Sequence, residues 1–258
     1  MALIGLADDE GVRLNGGRLG ARGGPDAIRA ALCRYGAADA AMGALPGVFD
    51  CGNINPGADL EETHDRVSEA VGWALDRGLF PIGLGGGHDL TWALGRAVAE
   101  RCDAVDCVYF DAHLDVRAEL GSGMPFRALV ERASVRSLRV LGMDPLANTR
   151  EHLRWFEAHG GHAGALDDHE AWSDADLIVS LDLDVIDQAF APGVSATNPH
   201  GWTPGEVERK VIAAARQANL RSFDIMELCP AHDEGGRTAR LAARLLLVFL
   251  TEFGRARA

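Results

Sequence analysis

Residues 105–110, VDCVYF, run without a break into Asp111–Ala112–His113–Leu114–Asp115. The first six are of strand length and rich in β-branched and aromatic side chains. The next five carry a metal-ligand type at every second position. In an extended chain side chains alternate faces, so 111, 113 and 115 are expected to point one way, with Ala112 and Leu114 on the other. A buried strand delivering three such groups at its end predicts a site there.

Two other segments share this grammar. Leu177–Leu183 carries Leu177–Ile178–Val179–Ser180–Leu181 into Asp182–Leu183–Asp184, which puts two more carboxylates on one face. Leu79–Leu84 leads into Gly85–Gly86–Gly87–His88, where the glycines permit a tight turn and close backbone approach. Further strands are expected over Met1–Leu6, Val48–Asp50, Leu138–Leu141 and Leu220–Ile225. Amphipathic helical stretches, Asp59–Arg77, Leu90–Arg101, Arg150–Ala158 and Pro204–Ala218, alternate with them. Pro25 reads as a first-turn position opening a helix through Leu32, and Thr203–Pro204–Gly205–Glu206 as a capping box. Arg237–Phe253 has a broad apolar face and should be docked. This alternation predicts an α/β fold: a three-layer α-β-α arrangement with a mostly parallel central sheet, in a single domain over residues 1–258. Ligands then belong beyond the carboxyl ends of the strands.

The length of 258 residues suits one large domain, and 47% hydrophobic residues supply its core. A formal charge of −13 argues against nucleic acid and anionic membranes as partners. No apolar run reaches the roughly 18 residues of a membrane span, and Met1–Glu10 does not read as a signal peptide. The cytoplasm is the expected location. The five cysteines form no C-x-x-C pair and read as reduced thiols.

The three strand ends together present His88, Asp111, His113, Asp115, Asp182 and Asp184. Any one D-x-D or D-x-H is more often a solvated loop or a cap. Three at the ends of strands of one sheet weigh differently. Four buried carboxylates repel one another unless cations balance them, and two divalent ions do so. Oxygen-rich ligation with only two imidazoles suits Mn2+ better than structural zinc. Such a dinuclear site generates a bridging hydroxide near neutral pH, which is hydrolytic chemistry.

At these residues the sequence resembles the ureohydrolase family of arginases, agmatinases and formimidoylglutamases. Gly85–His88, Asp111–Asp115, Ser180–Asp187 and Asp224–Glu227 with Pro230 carry the resemblance over nearly the whole chain. The resemblance implies an arginase-like fold and two Mn2+ per chain. One ion would be held by His88, Asp111, Asp115 and Asp182, the other by Asp111, His113, Asp182 and Asp184. It further implies that Asp115 shuttles a proton and that Glu227 pairs with the substrate's amidinium or guanidinium N–H groups. Read by itself, Glu227 is equally a strand-end acid bonded to loop amides. Homo-oligomers are common in the family, so one is implied here.

Within the family the chain is most similar to formimidoylglutamases. The metal loop is Gly-Gly-Gly-His without a preceding acid, and Gly121–Ser122–Gly123–Met124–Pro125–Phe126 stands where arginases carry a catalytic histidine. Asp115–Val116–Arg117 matches the Asp-x-Arg of that branch. The resemblance implies conversion of N-formimidoyl-L-glutamate and water to L-glutamate and formamide, a step of histidine catabolism. Two substrate carboxylates need donors, and Arg117 is the first candidate, with Arg13 and Arg18 behind it. Ser122 either donates to a carboxylate or holds its glycine-flanked turn together. The alternative is a guanidino-acid or agmatine-type enzyme releasing urea. A silent scaffold relative and a single-metal structural protein are weaker readings. The chain departs from the family in a short loop after Arg117 and in Asp89, where relatives often have Glu. The other seven histidines show no interpretable pairing, and His232 is either pocket or surface loop.

Overall fold

The computed structural model describes residues 1–36, 45–133, 135–164 and 172–258. Strand β4 (Val105–Phe110) lies inside the sheet and is buried at every position, as its sequence requires. On one side it pairs with β7 (Asp176–Asp182), and on the other with β5 (Ser137–Leu141). Beyond these lie β8 (Leu220–Met226), β3 (Pro81–Gly85), β1 (Ala2–Leu6) and β2 (Phe49–Ile54) on one flank, and β6 (Gly161–Gly164) on the other. The order is β2-β1-β3-β8-β7-β4-β5-β6, and every pairing is parallel.

Parallel neighbours require crossovers, and the helices supply them on both faces. Helices α2 (Gly24–Leu32), α7 (Pro204–Ala215) and α8 (Arg237–Arg255) cover one face. Their core includes Ile28, Val207, Val211, Leu245, Leu246 and Phe249 against Phe223, Ile225 and Val179. Phe249 stacks on Phe223 at 4.1 Å between ring centroids. Helices α3 (Leu60–Leu75), α4 (Leu90–Ala99) and α5 (Pro125–Ala133) cover the other face. There Val67, Leu94, Phe126 and Leu129 pack on Ile4, Tyr109 and Ile178. Among the described residues the other α-helices are α1 (Glu10–Leu14) and α6 (Arg150–Ala158). This is the three-layer α-β-α fold expected.

Helix ends follow their local chemistry. The carboxylate of Asp59 accepts the Glu62 N–H at 2.8 Å and starts α3. Glu206 accepts the Thr203 N–H at 2.7 Å, closing the capping box of α7.

The differences from expectation have local causes. β6, with sequence GHAG, has no strand signature, because an edge strand needs only its backbone to pair with β5. β2 runs to Ile54, through polar and mostly exposed positions, since its pairing with β1 rather than burial defines it. Helix α5 follows directly on the Ser122–Gly123 turn, where its Pro125 fits a first helical turn. β7 ends at Asp182, and Leu183–Val185 forms a 3-10 turn instead of extending the strand.

Candidate active site

The sheet order makes neighbours of β3, β8, β7 and β4, so the residues after their carboxyl ends meet. Register sharpens this. Phe110 pairs with Leu181, which sets Asp111 and Asp182 level on adjacent strands, and Asp182 pairs with Met226, just ahead of Glu227. His88 follows β3 by three residues. Glycines admit it: a Cβ at Gly86 would stand 2.3 Å from the Leu6 and Asp8 carbonyl oxygens, and one at Gly85 would stand 2.3 Å from the Met226 sulfur. The need here is for space.

His88 Nδ1 lies 3.2 Å from Asp111 Oδ2, 3.0 Å from Asp115 Oδ2 and 3.0 Å from Asp182 Oδ2. His113 Nδ1 lies 2.9 Å from Asp184 Oδ2 and 3.4 Å from Asp111 Oδ1. These six residues fall into two ligand groups, His88–Asp111–Asp115–Asp182 and Asp111–His113–Asp184, with Asp111 in both. The fourth residue expected in the second group, Asp182, turns Oδ1 onto the Asp184 N–H at 2.8 Å.

The alternation expected through 111–115 does not hold. Asp115 has φ 47°, so the chain turns into the left-handed region there, and it is this turn that aims its carboxylate at His88. The hydroxyl of Tyr109 braces the turn by donating to the Leu114 carbonyl at 2.8 Å. Asp184 likewise reaches the site from the 3-10 turn.

The donor set fits two divalent cations. Although three carboxylates surround His88 Nδ1, none is aligned to share a hydrogen bond with it, and Asp111 Oδ2 and Asp184 Oδ1 are also buried without partners. Buried ligand atoms left without partners are costly unless an ion completes them. The metal-free electrostatics agree. Burial, reinforced by the Asp115 and Asp184 charges, pushes Asp111 up to about 6. Burial raises Asp182 as well. The Asp184 carboxylate leads in holding His113 well above the imidazole range. Burial opposes the charge on His88, but Asp111, Asp115 and Asp182 outweigh it and raise this imidazole too. Without a cation these groups are thus biased toward holding protons.

Around this centre His88 is locked. Its Nε2 lies 3.0 Å from Ser180 Oγ, which donates to Asp224 Oδ1 at 2.5 Å, and Thr91 donates to Asp224 Oδ2 at 3.1 Å. Burial pushes Asp224 up to about 6. Phe126, from the Met124–Pro125–Phe126 segment, meets the His88 ring edge-on at 5.2 Å. Glu227 accepts the His88 backbone N–H through Oε1 at 2.8 Å, while its buried Oε2 has no partner. Burial pushes Glu227 up to about 8.

A cleft opens over these acids, walled by Asn15, Arg117, Ser122, Ser195 and Ala196. Of the residues expected to bind substrate, Arg117 and Ser122 line it. Arg13 does not: its guanidinium forks onto Glu10 at 2.7 and 2.5 Å and is 57% exposed. Nor does Arg18, which donates to the Val194 carbonyl at 2.5 Å and the Ser195 carbonyl at 3.1 Å. It fastens the 192–195 loop, so its bearing on the cleft is indirect. Ser195 and Ala196 carried no motif of their own; Asn15 belongs to Asn15–Gly16–Gly17–Arg18, a stretch similar to the formimidoylglutamase branch, but nothing in it singled out Asn15 as a cleft residue.

His64 is a further departure. Its Nε2 lies 2.8 Å from Asp89 Oδ2, with both side chains buried, so Asp89 braces the His88 loop from behind. His232 lies in a short turn outside the cleft wall, and His169 lies outside the described residues.

Comparison with known proteins matches residues 1–251 to the Arginase family. A formimidoylglutamase of Aeromonas hydrophila is 36% identical, covering 95% of this chain and 85% of its own. One of Ralstonia nicotianae is 37% identical, covering 95% and 83%. The crystal structure of Trypanosoma cruzi formiminoglutamase with Mn2+ superposes with a TM-score of 0.91 at 28% identity, covering 98% of this chain and 92% of that one. Proclavaminate amidino hydrolase from Streptomyces clavuligerus is also similar, with a TM-score of 0.88 at 27% identity, covering 99% and 92%.

Proposed function

The chain belongs to the Arginase family, and we propose that it hydrolyses N-formimidoyl-L-glutamate to L-glutamate and formamide in the cytoplasm, as a step of histidine catabolism. One observation carries this reading: Arg117, whose guanidinium has no ion-pair partner among the described residues, stands in the wall of the same cleft whose floor holds two ligand groups sharing Asp111. The first feature suits an acidic substrate, the second a hydrolytic reaction at an amidine carbon. The relatives named formimidoylglutamase support the choice. No described helix is long and apolar enough to cross a membrane.

His88, Asp111, Asp115 and Asp182 would hold one Mn2+, and Asp111, His113, Asp182 and Asp184 the other. Bound there, the two ions supply an activated water and positive charge beside the carbon under attack. Glu227 holds the substrate: with Oε1 committed to the His88 N–H, its free Oε2 accepts an amidinium N–H and fixes the formimidoyl carbon over the floor. Asp115, partly exposed at the floor, moves a proton to the departing amine nitrogen of glutamate. The breaking C–N bond leaves its electron pair on that nitrogen, and the water oxygen becomes the formamide carbonyl. Arg117 and Ser122 meet a substrate carboxylate, and homo-oligomer formation belongs to the same reading.

The test is product analysis of Mn2+-loaded protein offered N-formimidoyl-L-glutamate, agmatine, arginine and guanidinobutyrate. Glutamate with formamide from the first alone, abolished in Asp115→Asn, is expected. Urea from any of the others would move the enzyme to the guanidine branch, and no release from any would refute hydrolysis of these classes.

A further inference from the structure

Resting on the dicarboxylate reading above, one question is open: how two substrate carboxylates are met by a cleft that offers a single arginine. Four carboxylates, Asp115, Asp182, Asp184 and Glu227, line the cleft, and among the described residues Arg117 is the only arginine or lysine in its lining. Arg13 and Arg18 are committed elsewhere. Neutral donors must complete the recognition.

Asn15 is placed for this. Its side-chain amide makes no hydrogen bond among the described residues, yet it lines the cleft, half-buried. It converges with Arg117 over Gly123. A Cβ at Gly123 would stand 3.0 Å from Asn15 Nδ2, 3.0 Å from Arg117 Nε and 2.9 Å from Arg117 Cδ. The glycine therefore leaves room for both side chains to cross one spot, and an alanine there would push them apart. The backbone fixes the pair as one unit. Gly11 O accepts both the Asn15 N–H at 3.1 Å and the Ser122 N–H at 2.9 Å, while Gly123 O accepts the Arg117 N–H at 2.8 Å.

Depth decides which carboxylate is received. Asp182, Asp184 and Glu227 are buried at the floor, whereas Asn15 is half-buried and Arg117 exposed at the mouth. The scissile C–N bond must lie at the floor, so the group reaching the mouth is the carboxylate farther from it. We infer that Asn15, beside Arg117, receives this distal carboxylate and is a specificity-determining residue for an acyclic dicarboxylate. A guanidinium with a neutral amide donor beside it suits one carboxylate, where a second carboxylate at position 15 would repel it.

The experiment compares wild type, Asn15→Ala and Asn15→Asp, all Mn2+-loaded, on N-formimidoyl-L-glutamate and on N-formimidoyl-L-glutamine, which lacks only the distal charge. Asn15→Ala is expected to raise KM for the acid ~10-fold, the size of one hydrogen bond to a charged group, and to leave kcat within about twofold. It should leave the amide substrate's kinetics unchanged. Asn15→Asp should raise KM for the acid further. Equal losses on both substrates, or a fall in kcat alone, would overturn the assignment. Metal content and thermal midpoint equal to wild type confirm that the variants fold. If wild type turned over neither compound, the catalytic reading would fail by itself. The subsite would then be judged by calorimetric binding of L-glutamate, expected weaker in Asn15→Ala, with equal affinity overturning it.

Discussion

Glu227 and His88 stand 139 positions apart in the chain, yet Glu227 Oε1 accepts the His88 backbone N–H at 2.8 Å. The same glutamate has φ 67°, and with Asp115 at 47° it is one of the two non-glycine residues with positive φ among the described residues. Such backbone costs of order 1 kcal/mol or more each and persists where surrounding structure enforces it. Here it turns both carboxylates into one cleft.

Glu227→Gln should preserve the His88 contact, since an amide oxygen accepts the same N–H. The other end of the side chain becomes a donor facing a donor. A fall in kcat/KM of at least ~100-fold with unchanged metal content is expected, read from steady-state kinetics and elemental analysis. Unchanged kcat/KM would remove Glu227 from substrate binding.

Metal stoichiometry separates the two ligand groups. Asp184 belongs to one group only, so Asp184→Ala should retain one Mn2+ per chain, while Asp111→Ala, which strikes both, should retain none. Equal stoichiometry in the two variants would contradict the shared position of Asp111.

The titrating groups fix the sign of the pH dependence. In the metal-free protein His88 and His113 are held above the imidazole range, with Asp111 at about 6 and Glu227 at about 8. All four are raised over their unfolded values, so their stabilisation is complete at low pH and is lost as pH rises through the folded values. Asp184, which burial would raise but the His113 charge lowers, runs the other way and is outnumbered. The metal-free thermal midpoint should therefore fall from pH 5 to pH 8. Loading with Mn2+ should flatten that slope and release protons, because ligation needs neutral imidazoles. Calorimetry in buffers of different ionisation enthalpy counts them, and a buffer-independent heat would refute the protonated metal-free site.

His64→Ala leaves the buried Asp89 without its partner while touching no ligand. Breaking a buried pair from one side costs about 3 kcal/mol, which urea denaturation should show as a lower midpoint at unchanged slope. A loss under about 0.5 kcal/mol would mean that Asp89 finds other support.

Arg18→Ala should act through the loop it fastens. With the Val194 and Ser195 carbonyls released, KM is expected to rise several-fold while kcat and metal content hold. A selective loss of kcat would mean that Arg18 reaches the reacting atoms.

The sequence by itself determined the layered α/β class and the six ligand-type residues, because both rest on local chemistry. Strand length, apolar content and the polar residues that end each strand lie within a dozen positions of one another. Asp111 and Asp182 were legible for that reason. Tertiary structure decided what pairs with what. The insertion of β8 between β3 and β7 brings Glu227 to His88, and no local pattern encodes that order. Its place two residues past Asp115 put Arg117 first among the arginines in sequence, with Arg13 and Arg18 behind it. Folding gave Arg13 to Glu10 and Arg18 to backbone carbonyls, and left Arg117 facing the cleft beside Asn15. A polar side chain's role depends on which partner reaches it first, and that is fixed by long-range packing.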